Sequence, residues 1–210
     1  VVADNGMHNQ YNLKALVDNG DGYIISKSLR KSWKSMREFV LDKNGYTVRH
    51  TDAVTGKPTF KYKSEVYERT LVGRDGKQIT VKEKVVVFWS KAHAEADARE
   101  NAKFVEYLKS CKEHPEKFRD KSKIKRYFKQ VQTDKHTGKP LSAKDKATIR
   151  YELDEAKVAA MQEIYGYYAI VTSEIDEPDI DIINRYHNLS RIEDSFRITK
   201  SDLEGRPVYV

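Results

Sequence analysis

Asp4 closes the apolar run Val1-Val2-Ala3 and is followed by Asn5-Gly6. The run reads as a buried strand, and in open α/β sheets reactive groups collect at the carboxyl ends of strands, where side chains leave the core. A turn-forming Asp in an Asp-Asn-Gly turn fits the same residues. Towards the other end, Tyr186, Glu193 and Lys200 recur at intervals of seven, a spacing that drifts only about 20° per step on a helix. Arg197, four beyond Glu193, shares that stripe. A carboxylate flanked by a phenol and two cations suits phosphate chemistry. The Glu would hold a divalent metal while Tyr, Arg and Lys grip a phosphodiester. Spacing alone leaves a plainer reading open, a solvated helix face with a Glu193–Arg197 pair worth a few tenths of a kcal/mol.

Other chemistries find no support. His8, His50, His93, His114, His136 and His187 are scattered without ligand spacing, and Cys111 is the single cysteine. A zinc site and a disulfide framework are therefore not expected. No glycine-rich phosphate loop or serine nucleophile elbow is present. The 210 residues carry 39 Lys and Arg against 32 Asp and Glu, a net charge of +7. That excess favours a polyanionic partner. The longest apolar run, Val85 to Trp89, is far short of the roughly 18 residues that read as a membrane span. Asp4 and Asn5 interrupt any signal peptide at once. The expectation is a soluble, cytoplasmic protein with no membrane partner.

The elements that would position these residues follow from periodicity and turn residues. Tyr11, Leu13, Leu16 and Val17 mark a short amphipathic helix ended by Gly20-Asp21-Gly22, and Tyr23 to Ser26 is a second buried strand. Strand, helix, strand in that space is a βαβ-type unit with neighbouring parallel strands. Strand-like content then recurs at Tyr46–His50, Thr59–Lys63, Val66–Val72 and Ile79–Trp89, with a hairpin turn at Asp75-Gly76. This stretch reads as an antiparallel meander. Ala92 to Ser110 is helical. The segment from Lys109 to Lys146 is the most basic in the chain, with Phe118, Tyr127 and Phe128 interleaved. It is read as basic helical structure, either a phosphate-binding surface with aromatics for stacking or a solvated face. Leu153 to Ile164 is helical, Tyr167 to Thr172 is a buried strand, Pro178 opens a helix over Asp179 to Tyr186, and a last helix spans Leu189 to Leu203. The order implies an α/β core, residues 1–28 and 161–210, interrupted by an insertion domain over 29–160. Both ends stop on apolar residues, so an internal piece of a longer protein is expected.

Three stretches carry a resemblance to the DDE transposases of bacterial insertion sequences, the insertion-sequence-four superfamily. Val1 to Met7 is similar to the strand bearing that family's second catalytic aspartate. Gly166 to Ser173 resembles the strand before its glutamate helix. Tyr186 to Lys200 resembles the signature on that helix, Tyr, two residues, Arg, three residues, Glu, six residues, Lys. Tyr186, Glu193 and Lys200 match. Leu189 stands where the signature has Arg, and Ser190 where a Trp often follows; Arg191 or Arg197 would take over the phosphate contact.

The resemblance implies an RNase H-like core, partial here, with a β-rich insertion, and two-metal phosphoryl transfer on double-stranded DNA at transposon ends and target. Asp4 and Glu193 would be catalytic and metal-holding, with two Mg²⁺ or Mn²⁺ ions about 4 Å apart in the complete enzyme. Tyr186, Arg191, Arg197 and Lys200 would bind DNA phosphate. The family's first aspartate lies upstream of the second, so this chain alone is expected to be inactive. A homodimer and a nucleoid location when DNA-bound follow by the same analogy. A catalytically dead DNA-binding remnant and a different RNase H-like nuclease remain as alternatives.

Overall fold

The computed structural model describes residues 1–29, 34–113, 122–134 and 147–189. In chain order the elements begin with β1 (Val2–Ala3), a 3-10 turn (Asn5–Met7), α1 (Gln10–Asp18), β2 (Ile24–Lys27) and α2 (Lys34–Leu41). Then come β3 (Thr47–Thr51), β4 (Pro58–Val72), β5 (Gln78–Ser90), α3 (Lys91–Glu113) and α4 (Ser122–Lys125). The series continues with β6 (Phe128–Asp134), β7 (Ala147–Leu153), α5 (Glu155–Gln162) and β8 (Tyr167–Thr172), and a last helix, α6, covers 179–189.

The chain is mixed α/β. Six strands form one sheet in the order β1-β2-β8-β5-β4-β3, and β6 and β7 form a separate pair. β1 and β2 are parallel, with Val2 opposite Ile24 and Ala3 opposite Ile25. A parallel pair needs a crossover, and here the 3-10 turn and α1 supply it. Asn9 caps α1, its side chain accepting from the Tyr11 and Asn12 N–H groups. Every other pairing in the sheet is antiparallel.

Two units divide the chain, Val1–Lys91 with Tyr167–Val210, and Ala92–Gly166. The meander read as part of an insertion over 29–160 belongs to the main sheet: β5 pairs with β8 from Lys84–Thr172 to Trp89–Tyr167. The segments read as two strands over Thr59–Lys63 and Val66–Val72 are one strand, β4, paired along its length with β5. β1 is an edge strand, not a buried one, with Val1 55% exposed.

Strand alternation sorts the sheet into two faces. On one lie Val2, Ile24, Val86, Phe88 and Ile170, covered by Ile182 and Ile183 of α6, with Phe60, Tyr62 and Tyr186 packed around them. On the other, Lys63 is drawn in under α2, where its Nζ donates to the carbonyls of Asp42 (2.8 Å) and Asn44 (3.3 Å). Phe39 and Tyr46 lend ring faces to the same ammonium.

In the second unit, Leu108 and Cys111 of α3 pack with Ile124, Tyr127, Phe128, Val158 and Met161. Asp154 caps α5 by accepting from Lys157 N–H, and pairs with Lys129 and Lys157 at 3.3 and 3.4 Å. The segment read as basic helical structure thus contains a strand, β6, antiparallel to β7.

Candidate functional site

Asp4 stands at the carboxyl end of β1 and caps the turn that follows. Its backbone is still extended, with φ −78° and ψ 177°, and its Oδ1 accepts from Gly6 N–H at 2.9 Å. The carboxylate is therefore a turn-former, as the plainer reading had it, and also an exposed acid at a strand end. Extended backbone places Asp4 on the same side as Val2, the face that α6 covers. Asn5 ties the turn to the neighbouring strand end, its Oδ1 accepting from Ser28 N–H at 3.2 Å.

The direction of α6 follows from two contacts. Its first residue, Asp179, pairs with Lys84 of β5 at 3.3 Å, and near its other end His187 lies edge-on to Phe88, ring centroids 5.4 Å apart. Lys84 also donates to Glu177 O, which fixes the start of the helix. From Lys84 to Phe88 the chain of β5 advances four residues, so α6 runs in the sense of β5. β2 and β5 are each antiparallel to β8, and β1 is parallel to β2. α6 therefore heads towards the end of the sheet at which β1 delivers Asp4. Tyr186 is half-buried against the Ile24, Phe88 and Ile170 cluster on that same face.

Arg191, Glu193, Arg197 and Lys200 lie outside the described residues, as does all but the first residue of the expected last helix. Asp4 fits a divalent cation as one exposed oxygen ligand, the kind of donor Mg²⁺ and Mn²⁺ take. Among the described residues no group of three or more His, Cys, Asp or Glu is placed to hold a metal ion.

The basic segment differs from its sequence reading in its aromatics. Tyr127 and Phe128 are only 7% and 6% exposed and belong to the core of the second unit. Their rings pack under α3 and α5 and do not offer stacking faces to bases. Phe118 lies outside the described residues. Lys125 and Arg126 are exposed. No helix among the described residues is long and apolar enough to cross a membrane.

Sequence reasoning missed a buried polar cluster. Glu83 of β5 is fully buried, yet accepts from Tyr23 Oη at 2.5 Å and Tyr67 Oη at 2.7 Å, with Arg69 Nη1 at 3.5 Å. Arg69 Nη1 also lies 3.4 Å from His8 Nε2. Burial, then the hydrogen bond to Glu83, pushes the Tyr23 hydroxyl well above the ordinary phenol range. Burial and the charge of Glu83 do the same to Tyr67. Burial lowers His8, and Arg69 and Lys27 lower it further against the opposing pull of Glu83. The signal was available. Val81, Glu83, Val85 and Val87 alternate in phase, so an acid stood in line with core positions.

Comparison with family models, with curated proteins and with solved structures finds no match for this chain.

Proposed function

We propose that this chain is part of a DDE-type DNA transposase with an RNase H-like core, acting by two-metal phosphoryl transfer on DNA. The observation that carries the reading is the pairing of Asp4, at the carboxyl end of a parallel strand, with a helix that returns over the same sheet face towards it and bears Tyr186. The motif residues Glu193 and Lys200 follow on the same run of sequence. In this reading Asp4 and Glu193 hold Mg²⁺ or Mn²⁺, which when bound supplies charge for the attacking and leaving oxygens of an in-line displacement.

The chain's own residues do the rest. Asp4 presents an oxygen from a turn that Asn5 fixes to Ser28, just past the end of β2. Tyr186 places a hydroxyl beside the reacting phosphate, and Arg191, Arg197 and Lys200 hold the flanking phosphates by charge-assisted hydrogen bonds. The chemistry needs a third carboxylate, which the resemblance places upstream of Asp4.

The test is nicking of supercoiled plasmid DNA in Mn²⁺, comparing this chain, a version extended upstream, and the extended version carrying Asp4→Asn or Glu193→Gln. The extended protein should nick, and each substitution should reduce nicking to background. Undiminished nicking by Asp4→Asn would place the metal site elsewhere. DNA retained without cleavage by any version would favour the binding remnant.

A further inference from the structure

We propose that Arg69 and Glu83 are positioning residues for Asp4, acting through His8 to hold the turn on which Asp4 stands. The proposal rests on the reading of Asp4 as a metal ligand, but the latch itself is a property of the fold. Asp4 begins the turn and His8 ends it: Met7 N–H donates to Asp4 O and His8 N–H to Asn5 O, each at 3.2 Å. The turn is short, so fixing its two ends fixes the carboxylate. One end is tied by Asn5 to Ser28, just past the end of β2. The other is tied by the His8 ring to Arg69, which comes from β4, a strand 61 residues further on.

Arg69 is in turn held by Glu83 on β5, and Glu83 by the two phenols of Tyr23 and Tyr67. A wholly buried carboxylate survives only when its lone pairs are matched by donors, and here three side chains supply them. The cluster thus joins β4 and β5 to Tyr23, the residue just before β2, and the Asp4 turn is moored to it through one imidazole.

The mooring has a protonation requirement. A guanidinium can only donate, so His8 Nε2 must keep its lone pair to accept from Arg69. Among the described residues facing His8, Arg69 and Lys27 are cationic, Glu83 is the carboxylate, and Tyr23 and Tyr67 stay protonated around it. Adding a proton to His8 removes the acceptor and sets three cations against one acid.

The experiment uses Arg69→Gln, which keeps a donor without the charge, and His8→Gln, which keeps an acceptor that does not titrate. The His8 imidazole is titrated by NMR and amide hydrogen exchange is followed across residues 5–8. Arg69→Gln should raise the His8 pKa towards its ordinary value of about 6.5 and speed exchange at residues 5–8 by about tenfold or more. Amides of β8 should not change. In wild-type protein the same amides should exchange faster, relative to intrinsic rates, as pH falls through the His8 titration, and His8→Gln should abolish that dependence while keeping the turn ordered.

On the upstream-extended chain, Arg69→Gln should lower the nicking rate while leaving the DNA concentration dependence unchanged, and His8→Gln should remove the acidic limb of the pH profile. An unchanged His8 titration with unchanged exchange in Arg69→Gln overturns the latch. Looser exchange with an unaltered nicking rate overturns its role in positioning Asp4. Absence of nicking by every version would sink the transposase reading and leave the exchange data to decide the latch.

Discussion

Tyr186 has a packing contact in the fold and a proposed contact to DNA, and substitution separates the two. Its ring packs against the Ile24, Phe88 and Ile170 cluster while the residue stays half-buried, and its hydroxyl is assigned to a DNA phosphate only by the proposed function. Tyr186→Phe should leave the urea midpoint unmoved and lower nicking by the extended chain about tenfold, the loss of one hydrogen bond to a charged group at ~1.5 kcal/mol. Tyr186→Ala should in addition cost about 1–2 kcal/mol of stability, below the ~3–5 kcal/mol of a fully buried aromatic. A Phe variant as active as wild type would leave the ring a packing role alone. At this scale the sequence was legible where a residue type was unusual for its place. Asp4 stands out after three apolar residues, and Tyr186 stands out by its spacing from Glu193 and Lys200. Glu83, flanked by Lys82 and Lys84, carries no such local mark. Only its phase with Val81, Val85 and Val87, and its phenol partners, Tyr23 just before β2 and Tyr67 on β4, mark it as interior.

Elements were read well where their signals are local. α1, α3, α5 and β8 fall where periodicity and caps put them, and the β4–β5 hairpin turns where Asp75-Gly76 predicts. That turn shows how local the signal is. Gly76 has φ +75°, Asp75 accepts from Lys77 N–H at 3.1 Å, and Gly73 and Lys77 close the loop at 2.8 Å. A side chain at Gly76 would meet nothing within 4 Å, so a substitution there tests backbone strain alone. Gly76→Ala should cost ~1 kcal/mol by equilibrium unfolding, and Gly76→Asn less, because Asn tolerates that region. Equal costs for Ala and Asn would mean that the turn rearranges. What periodicity could not show was partnership. β5 was legible as a strand, but its neighbour β8 lies beyond some 76 intervening residues, from Lys91 to Gly166, and nothing in either sequence names the other. The β6–β7 pair was hidden differently. Ile149, Tyr151 and Leu153 alternate as a strand should, yet the run of Lys and Arg before them suggested a charged helix face.

For the whole molecule, the second unit interrupts the first between two strands that are already paired. Trp89 of β5 is opposite Tyr167 of β8, so the chain leaves the sheet and re-enters it at adjacent positions. Such an arrangement needs no long bridge if the interruption is removed. Replacing Ala92–Gly166 by Asn-Gly leaves a short hairpin loop of the kind that antiparallel neighbours accept. The remaining chain keeps the six-stranded sheet, the α6 face and the Glu83 cluster, all of which lie within the first unit. The shortened protein should therefore unfold in one cooperative transition and keep the slow-exchanging amides of β5 and β8. The proposed affinity for DNA should behave differently. Residues 109–146 hold 13 Lys and Arg against 5 Asp and Glu, and affinity that comes from phosphate neutralisation falls with salt by about 0.9 log units per contact per decade. If that segment supplies the DNA-binding charge, deletion should weaken duplex binding at low salt and flatten the salt slope by several units, as fluorescence anisotropy over a salt series would show. An unchanged slope would move the DNA-binding surface to the sheet unit, beside Asp4 and Tyr186. The basic segment would then be the solvated face that its charge alone also allows.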